Sequence, residues 1–188
     1  MREATSRHAT GSPRWARPSA GGSAWRSFQI NAEFRVPLWF AYRWCTDYGP
    51  DDPKYSGEDR LIHLQRRVIE RTRKRVVFEN LYDEGKGWAW ERHVVTLHPP
   101  DHWHCEGRGN HSESVLDYRL TALSPDRTRL EMRWRSRPRQ QTRERRPPAG
   151  VVETFVAGLW RQRGRALEQE YRRLRNRSVR PTSRDSRF

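Results

Sequence analysis

VVETFVAGLWRQRGRALEQEYRRLR, residues 151–175, is where the periodicity of this chain changes. Val152, Phe155, Val156, Leu159, Ala166, Leu167, Tyr171 and Leu174 recur at spacings of three, four and seven, which predicts one apolar stripe along an α-helix. Arg161, Arg165, Glu168, Arg172 and Arg175 fall on the opposite face. The stripe is long enough to lie across a sheet, and the preceding sequence supplies one. From Phe28, the apolar residues Phe28, Ile30, Ala32, Phe34 and Val36 alternate with Gln29, Asn31, Glu33 and Arg35. That is a strand with one buried and one wet face.

Further strands are predicted over Leu61–Arg71, Arg75–Asp83, Trp88–Leu97, His102–Asn110, Glu113–Ala122 and Arg127–Ser136. Turn chemistry separates them at Asp83-Glu84-Gly85-Lys86-Gly87, Pro99-Pro100-Asp101 and Ser124-Pro125-Asp126. Such short connections imply an antiparallel meander. Pro37 ends the first strand and suits the first turn of a helix over the aromatic run Leu38–Cys45. The segment from Thr46 to Pro53 then reads as a turn and a second short helical piece. The expected class is therefore α+β: a curved seven-stranded antiparallel sheet wrapped around a long C-terminal helix, with two short helices after strand 1.

Composition bounds the rest. A chain of 188 residues suits one domain with tails and needs no disulfide or metal staple. Cys45 and Cys105 do not make a disulfide framework, so reduced thiols are expected. The net charge is +15, and all 38 basic residues except Lys54, Lys74 and Lys86 are arginines. Residues 1–24 and 178–188 are rich in Arg and Ser with little to bury, and both are expected to be disordered around a domain over residues 25–177. The remaining basic charge is dispersed as alternating Arg and Glu. No run of about 18 apolar residues and no secretory core is present, so membrane insertion is not expected and a cytoplasmic protein is.

The order strand, two short helices, six strands, long helix resembles that of the START-like or SRPBCC helix-grip superfamily. That superfamily includes polyketide cyclase/dehydrase-like and lipid-transfer-like proteins. The closest local match is Val36-Pro37, then Phe40-Ala41-Tyr42, then Trp44-Cys45-Thr46-Asp47-Tyr48. Many prokaryotic members similarly end the first strand at a proline, continue with an aromatic helix and reach a Thr-Asp pair. The resemblance spans about Ser27 to Arg175 and marks a fold without a catalytic signature. It implies a cavity for an apolar or amphipathic ligand between sheet and helix.

The ligand-binding residues expected on inward strand faces are Phe78, Asn80 and Tyr82, then Trp88, Trp90 and Arg92, then Leu116 and Tyr118, then Met132 and Trp134. Phe155 and Leu159, with Trp160 beside them, are expected to close over these from the helix. Each also reads as plain core, but nine tryptophans supply more aromatic surface than a filled core needs. Asn80 and Arg92 are polar groups on apolar faces and need a partner, either a ligand oxygen or an internal bond. His102 and His104 share a strand face as metal ligands would, but Cys105 points the other way, and neither a metal nor a cofactor is expected. Asp47, Asp51 and Asp52 read as helix caps. There is no Gly-x-Ser-x-Gly elbow and no phosphate loop. The sequence thus points to a binder or carrier of an apolar or aromatic small molecule, lipid-like or polyketide-like. One alternative is a cyclase- or dehydratase-type enzyme in the same cavity, using an inward His93, Glu91 or an Asn80-oriented water. The other is a basic nucleic-acid-binding module. Oligomeric state is left open.

Overall fold

The computed structural model describes residues 24–52, 64–83, 87–139 and 148–179. Its strands are β1 (Arg26–Phe34), β2 (Gln65–Arg71), β3 (Arg75–Asp83), β4 (Trp88–His98), β5 (His102–Gly109), β6 (Ser112–Ser124) and β7 (Arg127–Pro138). The helices are α1 (Leu38–Cys45) and α2 (Ala149–Val179). The strands form one seven-stranded antiparallel sheet in the order β1-β7-β6-β5-β4-β3-β2. Of the second short helical piece expected before Pro53, the described residues show a turn over Pro50–Asp51 and the helical conformation starting at Asp52; the chain beyond lies outside the described residues.

Local chemistry closes the hairpins. At the β2–β3 turn, Thr72 N donates to Arg75 O at 2.8 Å, and Thr72 Oγ1 accepts from Arg75 N at 3.0 Å. At the β6–β7 turn, Ser124 Oγ donates to Asp126 Oδ1 at 2.7 Å. Where the chain leaves β1 for α1, Thr128 Oγ1 donates to Val36 O at 2.9 Å and satisfies a carbonyl the strand has abandoned.

The core lies between the inner sheet face and α2. Phe34, Val36, Val76, Val95, Trp103, Leu120, Leu130, Met132 and Leu167 are all but inaccessible to solvent. Each large apolar side chain buried there contributes about 1.5–3 kcal/mol. The helix lies tight against the sheet at Gly164, where a Cβ would stand 3.0 Å from Phe34 Cδ1 and Cε1. Glu168 Oε1 accepts Arg35 N at 2.9 Å one turn further on. Phe40 of α1 packs on Tyr171 at 5.0 Å between ring centroids, tying the short helix to the long one.

The buried stripe of α2 is Val156, Trp160, Gly164, Leu167 and Tyr171. Phe155, expected over the interior, is 48 % exposed, and Leu159 stands outside the buried cluster. The first turns of α2 carry apolar residues at 151, 152, 155, 156, 159 and 160, which span more than one face and leave the phase ambiguous. Trp160, the largest of them, takes the inward position.

On the outer face, arginines and glutamates pair across strands. Glu33 bonds both Arg127 and Arg129 and Glu113 bonds Arg137, while Glu131 bonds Arg133 along β7 itself. The exposed pairs add little stability each, but they engage much of the basic charge on the sheet. Among the described residues no helix is long and apolar enough to cross a membrane.

Candidate functional site

The pairing of β3 with β4 decides what faces inward. Phe78 is opposite His93, Asn80 opposite Glu91 and Tyr82 opposite Ala89. With Phe78 inside, the odd-numbered residues of β4 share its face, and Ala89, His93 and Val95 are buried. Trp88 and Trp90, 57 % and 45 % exposed, lie on the outer face with Arg92, which stands 3.8 Å from Glu79 there. Their expected inward placement is therefore corrected. Hydrophobicity marked the wrong face of β4, because its inner face carries the polar pair Glu91 and His93.

Between the inner faces of β2–β6, the turn after α1 and the middle of α2 lies a cavity of about 140 Å³. Of the expected residues, Phe78, Asn80, Leu116 and Tyr118 line it. Tyr82 lies beyond it and hydrogen-bonds Glu91. Met132 is sealed in the core, and Trp134 packs edge-on against Phe28 at 4.6 Å. A larger open cleft of about 760 Å³ runs along α1 and the end of α2. Its walls carry opposed charges, among them Arg43, Asp47, Glu170 and Arg173, and it is a groove on the surface rather than an interior site.

Aromatic rings stack on two sides of the interior cavity. Tyr48, Phe78 and His93 form one tier, with centroid separations of 5.1 and 4.7 Å. Trp103 and Tyr118 form the other, at 4.7 Å and nearly parallel. Tyr48 reaches its place through a left-handed backbone, φ 49°, which a bulky residue adopts only where its surroundings hold it. Burial, then the nearby Tyr118 and Cys105, hold its hydroxyl neutral by raising its pKa well above the ordinary value.

Arg66 of β2 enters this wall as a buried cation, its side chain 4 % exposed. Nη1 donates to Asp52 Oδ2 at 2.5 Å, and Nε donates to Asn80 Oδ1 at 3.0 Å. The guanidinium also lies 4.3 Å from the Phe78 ring centroid. The partner that Asn80 needed is thus an arginine on the neighbouring strand. Asp52 and Asp47, expected as caps, pair with Arg66 and Arg71.

His93 sits between two groups. Cys105 Sγ is 3.6 Å from its Nδ1, and Glu91 Oε2 is 3.2 Å from its Nε2 but out of line for a hydrogen bond. Burial alone would lower the His93 pKa, but Cys105 and Glu91 outweigh it and raise the value to about 9. Burial likewise pushes Glu91 up, and contacts from His93, Ser112 and Tyr82 more than reverse this. Room for the imidazole comes from Gly107 across the β4–β5 ladder, where a Cβ would stand 2.9 Å from His93 Cε1. Two donors of the lining, His93 Nε2 and Trp103 Nε1, are buried without a hydrogen-bond partner. His93 and Glu91 stand out in the sequence only for the enzyme alternative, and Arg66, Trp103, Cys105 and Arg163 are not marked as lining residues there. The inner-face parity of Trp103, Cys105 and Gly107 was the available signal.

The other candidates lie elsewhere. His104 contacts Asp117 at 2.6 Å and Glu106 at 3.3 Å on the outer face, and His102 stacks on His98. Among the described residues no group of three or more His, Cys, Asp or Glu side chains is arranged to hold a metal. Cys45 and Cys105 are both free, and burial raises the Cys45 thiol to about 12.

No family model matches the chain, and no curated protein matches it either. Solved structures do. The Zhui aromatase/cyclase from Streptomyces sp. R1128 is 13% identical, with a TM-score of 0.62 over 85% of this chain and 99% of that one. A START superfamily protein from Mycobacterium smegmatis is 14% identical, with a TM-score of 0.56 over 79% and 98%. The di-domain ARO/CYC StfQ from the steffimycin biosynthetic pathway is 11% identical, with a TM-score of 0.59 over 78% of this chain and 46% of that one. The chain has the START-like helix-grip fold, and at these identities the likeness is one of fold.

Proposed function

We propose that this protein binds a small molecule built on a single ring and carrying acceptor oxygens, in the cavity between sheet and α2. The observation that carries the reading is a buried donor without a hydrogen-bond partner, Trp103 Nε1, set in a wall of stacked rings beside the His93–Glu91 pair. A buried donor without an acceptor costs about 1–3 kcal/mol, which a ligand oxygen recovers. Arg66 adds a cation at the same wall, so the cavity favours a carbonyl, phenolate or carboxylate over a hydrocarbon. The volume argues for one ring: a cavity of about 150 Å³ holds benzene, whereas drug-sized ligands occupy about 300–1,000 Å³. This favours a monocyclic ligand over the lipid-like or fused polyketide-like ligand expected from the sequence. The START-like fold, found also in an aromatase/cyclase, is consistent with an apolar ligand.

Calorimetric titration with acetophenone, benzoate and toluene tests the reading. Acetophenone or benzoate should bind at least tenfold more tightly than toluene, and Trp103→Phe should remove about five- to tenfold of that preference. Equal affinity for all three, or no binding of any, overturns it. A second reading, proton-transfer catalysis of the cyclase or dehydratase type, is favoured by the inward His93–Glu91 pair. Exchange of the acetophenone methyl protons in D2O, lost in His93→Gln, is its expected outcome, and exchange no faster than in buffer counts against it.

A further inference from the structure

Cys105 is a nucleophile in waiting: we propose that its thiol forms a covalent adduct with a ring-sized α,β-unsaturated carbonyl compound admitted to the cavity, with His93 handling the proton. The inference rests on the ligand reading above and extends it from binding to chemistry.

Several features converge on this thiol. Cys105 lines the cavity although only 4 % exposed, so its route to a reagent is through the ligand space. His93 Nδ1 stands 3.6 Å from Sγ, and Glu91 flanks the opposite ring nitrogen, giving Cys, His and carboxylate in the order that activates thiols. The imidazole cannot drift, since it is stacked on Phe78 on one side and seated over Gly107 on the other. Trp103 Nε1, buried without a hydrogen-bond partner, remains to donate to the carbonyl oxygen on which charge develops. The arrangement is assembled from adjacent strands by register alone, His93 opposite Gly107 and Cys105 opposite Val95.

The step balances without a further reagent. The thiol proton passes to Nδ1 of neutral His93, the form that predominates above its raised pKa of about 9, and Sγ attacks the β-carbon of the enone to form the S–C bond. The C=C π pair moves through the carbonyl onto oxygen, giving an enolate. His93 returns the proton to the α-carbon, and the product is a saturated ketone thioether with no change in net oxidation state. Cys45 lines the same cavity without a histidine contact among those described, and burial raises its thiol to about 12. It is therefore the internal comparator.

The test incubates the full chain with 2-cyclohexen-1-one just above about pH 9, where His93 is neutral, and follows each cysteine by peptide mass mapping. Cys105 should be modified at least about tenfold faster than Cys45, and saturating cyclohexanone should slow it. His93→Gln should slow Cys105 by about 100-fold, the ordinary scale of lost proton-transfer assistance. If that variant fails to fold, the wild-type rate ratio and the protection by cyclohexanone decide the matter. Modification of both cysteines at one rate, or an unmodified Cys105 while cyclohexanone binds, overturns the covalent step and leaves the ligand reading standing. Failure of cyclohexanone to bind, with Cys105 inert also to iodoacetamide, overturns both.

Discussion

Replacing Gly107 by alanine places a methyl group in the space that fixes His93. Its Cβ would stand 2.4 Å from Ser114 Oγ, 2.9 Å from His93 Cε1 and 3.0 Å from His93 Nδ1. The Ser114 hydroxyl can rotate aside, but the imidazole is backed by Phe78 at 4.7 Å and has no free retreat. Overpacking of this kind costs about 1–3 kcal/mol. Alanine also restricts the unfolded chain, which returns about 0.4–1 kcal/mol. The net expectation is a loss of about 1–2 kcal/mol. In a chain of this length, that lowers Tm by roughly 2–8 °C at about 2–4 °C per kcal/mol. Urea unfolding should show a lower midpoint at unchanged slope, since the surface exposed on unfolding is the same. A variant as stable as the parent, with Cys105 still modified at the parental rate, would refute the packing argument: the ring would then be free to move and not held by its neighbours.

Three other outcomes are expected. Leu167→Ala should cost about 2–5 kcal/mol, whereas Phe155→Ala should stay within about 0.5 kcal/mol, because the first is sealed in the core and the second faces solvent; equal costs in urea unfolding would mean the inward face of α2 is misassigned. Asp52→Asn should cost about 3 kcal/mol, the lower end for a broken buried pair, since Asn80 and the Phe78 ring still hold Arg66; a change below about 1 kcal/mol would place that pair effectively in water. The folded-state pKa of His93 is raised to about 9, so its stabilising contribution is complete below the unfolded value of about 6.5 and is lost as pH rises through about 9; the urea midpoint should fall across that window in the wild type, and a His93→Gln variant with the same fall would assign the effect to other groups.

Strand positions were legible because turn residues and period-two alternation mark them locally. Arg75–Asp83 was read with its observed ends, and the remaining described strands differ by one to four residues at a given end. The face of a strand is a different kind of information. On β4 the larger apolar side chains, Trp88 and Trp90, point outward, while Glu91 and His93 point in. A reading that equates apolar with inward must invert such a strand, and the inversion falls where the cavity carries its polar groups. Pairing supplies what hydrophobicity cannot, because register with Phe78 fixes which residues of β4 share its face. Arg66 escaped notice for a related reason: one arginine among 38 basic residues carries no mark of burial until Asp52 and Asn80 are seen to converge on it.

The place of β1 in the sheet has a consequence for biosynthesis. Its hydrogen-bonding partner is β7, and the long helix that packs closest to it comes later still. Roughly 90 residues separate the end of β1 from the start of β7. At about 5–20 residues per second, translation leaves that first strand without its mate for roughly 5–20 s. The meander β2–β7 can zip up hairpin by hairpin as it emerges, but its inner face stays uncovered until α2 is made. The apolar row Phe28, Ile30, Ala32 and Phe34 is thus made first among the strands yet waits for the sixth strand after it before it can pair.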